Sequence, residues 1–202
     1  MSRTLAYIAV SVVVFGLGAA GAFVAFAPEQ SCGRPAIAGN TAAIGGPFTL
    51  VDHTGTTVTD KDVIDGPTLV YFGFTYCPDV CPVDNVRNLE AADLLKDRGL
   101  DVTPVFISID PERDTPEAMA DFVEILGENM IGLTGSAEQV AAAAKAYRAY
   151  YRKNGTGTDY LVDHSTFTYL VNEAGFVEFF RRDASPEQVA ERIACLVGKG
   201  PI

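Results

Sequence analysis

Positive charge is scarce in this 202-residue chain: 15 Lys and Arg stand against 26 Asp and Glu, a formal net charge of −11. Arg3 is the only charged side chain before Glu29, so the remainder carries 14 bases and 26 acids, or 14 − 26 = −12. Such a surface repels phosphate and excludes a general nucleic-acid binder; its simplest role is solubility. Tryptophan is absent, and only two histidines and four cysteines are present. Four cysteines in a chain of this length do not make a disulfide scaffold, and none is needed. Hydrophobic residues make up 48% of the chain, with 12 Phe and 8 Tyr, enough for the core of one ordinary domain. Internal repeats and low-complexity tracts are also missing.

Charge is missing altogether from Leu5 to Ala27, a run of 23 residues. As a helix rising about 1.5 Å per residue, such a run crosses a hydrocarbon core. With Arg3 before it and Glu29 after it, the positive-inside bias puts the N-terminus in the cytoplasm. The expectation is therefore a single-pass anchor at residues 1–28 in the inner (cytoplasmic) membrane, a linker at 29–46, and a domain at 47–202 facing the periplasm. Ala25-Phe26-Ala27 has the small-x-small form of a cleavage site, but Pro28 directly after it and the length of the apolar run favour a retained anchor. Cys32 follows Glu29-Gln30-Ser31 and lacks the small apolar residues that lipidation requires.

Within the domain, Phe48–Val51 and Thr56–Val58 flank Asp52-His53-Thr54-Gly55 as a hairpin, and Thr68–Phe74 reads as a buried strand. A helix follows, with Pro82 in its first turn, an apolar stripe of Val86, Leu89, Leu94 and Leu95, and an end at Gly99. Val102–Ile109 reads as a second buried strand. Thr115-Pro116-Glu117 starts a helix running to about Leu126, and Ile131–Leu133 is a short strand. Ser136 starts a helix continuing through the alanine run towards Tyr151, and Asn154-Gly155 is a turn. Ser165–Val171 and Phe176–Phe180 form a hairpin, and Ser185-Pro186-Glu187 starts the last helix. The order β-β-β-α-β-α-β-α-β-β-α predicts a thioredoxin-like α/β fold with an N-terminal β-hairpin and an inserted strand and helix, preceded by one transmembrane helix.

Cys77-Pro-Asp-Val-Cys81 lies between a buried strand and a helix start. Backbone N–H groups and the positive helix end there lower thiol pKa values and favour nucleophile and ligand character. Residues four apart converge on one side of a turn, on one ion or on each other. The flanking prolines and Asp79 predict an exposed loop. Thiol–disulfide enzymes of the thioredoxin type use Cys-x-x-Cys and a proline before the facing strand; neither is present. Where that proline is expected the chain reads Val162-Asp163-His164-Ser165, which offers an imidazole, either a core hydrogen-bonding residue or a third ligand. Two thiolates and one imidazole would make a soft set suited to Cu(I), whereas structural zinc takes four protein ligands. Cu(II) would need a fourth donor or water. His53 reads as a hydrogen-bonded residue of the hairpin turn. Asp110 and Asp114 read as turn and capping residues with Arg113 as a surface partner, or as part of a partner surface or a brace for the cysteine loop. Cys195, on the apolar face of the last helix, reads as a buried thiol. Thr75-Tyr-Cys77 lacks the Thr-x-x-Cys spacing of thiol peroxidases.

Tyr71–Pro82, Phe106–Thr115 and Asp163-His164-Ser165 together resemble the SCO/SenC family of copper proteins. The likeness runs from about Ile44 to Val197 and includes Gly132–Gly135 and Tyr147–Tyr151. It implies that Cys77, Cys81 and His164 are copper ligands and that the chain is a metallochaperone delivering copper to the dinuclear copper centre of cytochrome c oxidase. It also implies anchorage by one N-terminal span. Partners would then be the copper-site subunit of the oxidase, an upstream copper donor or thiol reductant, and the membrane. The second reading is a thiol–disulfide oxidoreductase that uses a redox-active Cys77–Cys81 disulfide to reduce the cysteines of the oxidase copper site. Departures from the family pattern at Val83-Asp-Asn85 and Arg181-Arg-Asp183 bear on partner choice.

Overall fold

The computed structural model describes Cys32 and residues 44–197. The expected anchor and all of the linker but Cys32 and Ile44–Gly46 lie outside the described residues, among which no helix is long and apolar enough to cross a membrane. The elements are β1 (Thr49–Asp52), β2 (Thr57–Thr59), α1 (Asp60–Val63), β3 (Thr68–Gly73), α2 (Val80–Lys96), β4 (Thr103–Ser108), α3 (Pro116–Leu126), β5 (Ile131–Thr134), α4 (Ala137–Ala146), β6 (Tyr151–Asn154), β7 (Leu161–His164), β8 (Thr168–Asn172), β9 (Gly175–Phe180) and α5 (Pro186–Leu196).

Seven strands form one sheet in the order β2-β1-β5-β4-β3-β8-β9, and β6 and β7 form a separate two-stranded ribbon. β3 pairs parallel to β4 and antiparallel to β8, which places the β3-α2-β4 and β8-β9-α5 halves in one sheet, the thioredoxin plan. All six residues of β3 are buried, as expected of a continuous apolar run at the centre of a two-faced sheet. Successive side chains of a strand point to opposite faces: Leu69 joins Ala91, Leu95, Leu170 and Ile193 in the core under α2 and α5. Val70 and Phe72 join Phe106, Met119, Val140 and Tyr147 in the larger core.

The predicted helix starts are met. Thr115 accepts the Ala118 N–H, and Ser136 and Ser185 each close a capping box with the glutamine three residues on. Two expectations change. The helix from Ser136 stops at Ala146 instead of approaching Tyr151, because the Ala149 N–H reaches the Ala144 carbonyl and the Arg148 N–H reaches that of Lys145, with Arg148 at φ 54°. That is the paired-bond helix stop usually built on glycine. The chain then forms β6, turns through the expected Asn154-Gly155, and returns as β7, a ribbon the sequence reading lacks. Cys195 is half-buried and disulfide-bonded rather than a buried free thiol. His53 behaves as expected, its Nδ1 accepting the Gly132 N–H at 3.3 Å.

Candidate metal centre

Strand β3 ends at Gly73, and the loop Phe74–Asp79 carries Cys77 to the N-terminus of α2, whose second residue is Cys81. The Cys77 N–H bonds the Phe74 carbonyl at 3.2 Å, closing the loop on the strand end. The Cys81 N–H points at Cys77 Sγ, 3.4 Å away. Gly73 makes room for the other sulfur: a Cβ there would lie 2.8 Å from Cys81 Sγ and 2.8 Å from the Phe106 ring. Cys81 is fully buried and Cys77 half-buried. The expectation of an exposed pair therefore holds for neither thiol in full, because the second cysteine turns inward under the first turn of α2.

His164, the last residue of β7, pairs with Tyr151 and places Nε2 3.5 Å from Cys81 Sγ. Its Nδ1 lies 2.9 Å from the Ser165 carbonyl oxygen. A carbonyl only accepts, so Nδ1 carries a proton, and Nε2 faces the sulfurs. Tyr71 and Phe74 meet the imidazole edge-on, with centroids at 6.2 and 5.9 Å. The structure thus brings all three residues picked from the sequence together: their ligand atoms lie within 4.8 Å of one another, a group that could hold a metal ion.

The two thiols are electrostatically unequal. A hydrogen bond from the Cys81 thiol, helped by His164 and by backbone N–H groups, pulls the Cys77 thiol down to about 3 against the cost of its partial burial. Cys81, as donor of that bond and as a buried group, is pushed up. The centre therefore presents one thiolate, one thiol and one imidazole nitrogen. Two sulfurs and a nitrogen, one sulfur buried and the other two atoms on half-buried residues, fit a soft ion of low coordination number.

Asp114 is buried and serves as the brace, not merely as a capping residue. It accepts the Thr75 N–H at 3.1 Å, the Thr75 hydroxyl at 2.6 Å and the Ser108 hydroxyl at 2.6 Å, fixing the loop two residues before Cys77. Arg113 is the expected partner, donating to Asp110 at 2.6 Å, but the pair is mostly buried and does not lie on the surface. Beneath the site, Tyr71 donates to the buried Asp84 at 3.0 Å, and the Arg87 guanidinium stands 3.7 Å from that carboxylate. Sequence reasoning missed this triad; its only local signal is the three-residue spacing of Asp84 and Arg87 on a helix.

The SCO1/SenC family model matches residues 37–198. Protein SenC of Rhodobacter capsulatus is 52% identical over 200 residues, covering 97% of this chain and 90% of that protein. The crystal structure of Arabidopsis thaliana ScoI with copper bound is 41% identical, with a TM-score of 0.75 over 78% of this chain and 99% of that one. BsSco, a member of the Sco family of cytochrome c oxidase assembly proteins in which a disulfide switch has been identified, shares the fold. It is 23% identical, with a TM-score of 0.63 over 78% of this chain and 96% of its own.

Proposed function

This chain belongs to the SCO1/SenC family, and from that premise we propose that it carries one Cu(I) ion on Cys77, Cys81 and His164 and delivers it to the dinuclear copper centre of cytochrome c oxidase during assembly. The observation that carries the reading is the convergence of two sulfurs and an imidazole nitrogen within 4.8 Å. The copper bound to the Arabidopsis relative and the oxidase-assembly role of the family that includes BsSco support it. Cu(I) accepts two or three soft ligands, and its exchange to an acceptor thiolate requires no change of oxidation state. Loading releases the Cys81 proton, so affinity rises with pH. Cu(II) is held only with a fourth donor or water. The uncharged run Leu5–Ala27 supports an inner-membrane anchor that keeps the domain on the periplasmic side; protease added to intact spheroplasts digests the domain if that is right and spares it if not.

One observation favours a second reading, thiol–disulfide exchange: Cys77 is held as a thiolate beside the Cys81 thiol. In that reaction Cys77 attacks a disulfide in the oxidase copper-site subunit, forms a mixed disulfide and expels one partner thiolate. Cys81 then gives up its proton and displaces the second, so the pair is oxidised and the partner gains two electrons. Only the carrier needs His164. Anaerobic Cu(I) titration of the reduced chain against a competing chelator, for wild type, Cys77→Ser and His164→Ala, separates the two. One tightly held ion, weakened in both variants, supports the carrier. A His164→Ala variant that retains reductase activity and complements a deletion in cells overturns it.

A further inference from the structure

The His164-bearing ribbon and the cysteine loop come from distant parts of the chain, and the five residues Asp110–Asp114 touch both. Asp114 holds the cysteine loop through Thr75, as described above. On the other side, the Tyr160 hydroxyl donates to buried Asp110 at 2.6 Å. The Arg113 guanidinium lies 3.7 Å over the Tyr160 ring and 4.7 Å from that of Tyr76 in the cysteine loop. Its Nε bonds the same Asp110, while Nη2 has no hydrogen-bond partner among the described residues. The group is thus given over largely to packing on aromatic faces.

A two-stranded ribbon is marginal by itself, so the orientation of β6 and β7 comes from what they dock on. Side chains two apart in a strand share a face. Tyr160 and Val162, both buried, therefore lie on the inward face with His164, whereas Leu161 between them is exposed. Gly155, at φ 114°, lets the ribbon turn close on Tyr160: a Cβ there would sit 3.3 Å from the Tyr160 Cα and Cβ. The other polar ties, Lys153 to Glu112 at 2.7 Å and Arg113 Nη1 to the Thr158 carbonyl at 3.4 Å, are exposed, and exposed ties contribute little. Tyr160 is the buried polar anchor of the ribbon.

We propose that Tyr160 is a positioning residue for His164: with its hydroxyl on Asp110 and its ring under Arg113, it fixes the ribbon so that the imidazole nitrogen stands against the Cys81 sulfur. The metal-binding consequence rests on the copper reading above; the positioning itself does not. The Arg113 guanidinium and the Lys153 ammonium lie over the ring and the hydroxyl bonds Asp110, so Tyr160→Phe keeps the ring and removes the register-setting bond.

The test is a double-mutant cycle on the reduced full-length chain, with Cu(I) affinity read by chelator competition for wild type, Tyr160→Phe, His164→Ala and the double variant. Loss of a charge-assisted bond predicts a weakening of about three- to tenfold for Tyr160→Phe when His164 is present, and none when it is absent. Equal affinity of Tyr160→Phe and wild type, or the same weakening in both backgrounds, overturns the proposal. Asp110→Asn, which keeps an oxygen for the tyrosine but not the charge, must show the same dependence on His164 and stands in if Tyr160→Phe does not fold. A second readout uses no metal: the nitrogen-15 shift of His164 Nε2, which stands 3.5 Å from Cys81 Sγ, should differ between wild type and Tyr160→Phe as the ring moves off the sulfur. An unchanged shift overturns the positioning role. A wild type without tight Cu(I) binding overturns the copper reading and leaves this shift to decide the positioning.

Discussion

Replacing Gly73 with alanine should damage the centre without touching a ligand. The added Cβ would lie 2.8 Å from Cys81 Sγ, 2.8 Å from Phe106 Cε2 and 3.0 Å from Tyr71 Cε1, where unstrained contacts sit at about 3.5–4.0 Å. Cys81, Phe106 and Tyr71 are all fully buried, and the two rings are stacked with centroids 6.3 Å apart, so no neighbour can swing into solvent. Overpacking of this kind costs about 1–3 kcal/mol, offset by about 0.4–1 kcal/mol from the stiffer unfolded chain. A net loss of about 1–2 kcal/mol is expected in urea denaturation of the reduced, metal-free protein. The sulfur must also shift by a sizeable fraction of an ångström, whereas metal–ligand distances tolerate about 0.2 Å, so Cu(I) affinity should fall at least about tenfold, or 1.4 kcal/mol. Gly66→Ala is the control: nothing lies within 4 Å of its Cβ position, and its stability should stay within about 0.5 kcal/mol of wild type. A Gly73→Ala protein as stable and as tight for Cu(I) as wild type would refute the idea that this glycine makes the sulfur's space.

Three further outcomes follow from the same geometry. Cys77, held down to about 3, should alkylate with iodoacetamide at a rate nearly independent of pH between about 5 and 8, while buried Cys81 stays unmodified by peptide mapping; a rate rising about tenfold per pH unit across that range contradicts the thiolate assignment. Asp114→Ala leaves Thr75 and Ser108 donors without their acceptor, costs about 2–3 kcal/mol, and should speed amide exchange at Thr75–Cys77, whereas unchanged exchange would mean that Asp114 does not brace the loop. Burial raises Asp84, outweighing the nearby Arg87; a carboxyl raised on folding contributes stability that is complete below its unfolded pKa and is lost as pH rises through the folded one. Asp84→Asn should therefore gain on wild type as the pH rises above about 4, by about 1.4 kcal/mol per unit of elevation, and a denaturation difference that is flat or falls with pH counts against it.

The chemistry of this chain was legible because its signals are local. Five consecutive residues hold both cysteines between an apolar strand and a helix start, and the same few residues fix the hydrogen bond from the Cys81 N–H to Cys77 Sγ. Strands β3 and β4 announce themselves as apolar runs, and α3, α4 and α5 by capping residues followed by proline or acid. His164 is a different case. Its spacing from Cys81, 83 residues away, says nothing; only its place before a hairpin strand and the family pattern around it marked it out. The burial of Cys81 was not readable, since prolines and Asp79 beside the pair argue for exposure while the inward turn depends on the hole left by Gly73.

What was illegible shares one physical cause: it is made by partners far apart in sequence, or by backbone states the residue type does not advertise. Arg148 takes the left-handed conformation that ends α4, a position where glycine would have signalled the stop and arginine gives no sign. Once that helix ends early, Tyr-Arg-Lys-Asn at 151–154 becomes a strand with three exposed residues, too polar to show an apolar period of two. The ribbon it makes then docks through Tyr160 meeting Asp110 across 50 residues, and the cysteine loop through Asp114 meeting Thr75 across 39. Each of these polar residues, read singly, fits a turn or a cap. Their roles emerge only when the β4–α3 loop is seen to lie between the two chain segments that supply sulfur and nitrogen. A sequence can therefore name the donor atoms of such a centre while leaving their spacing to contacts that no local pattern records.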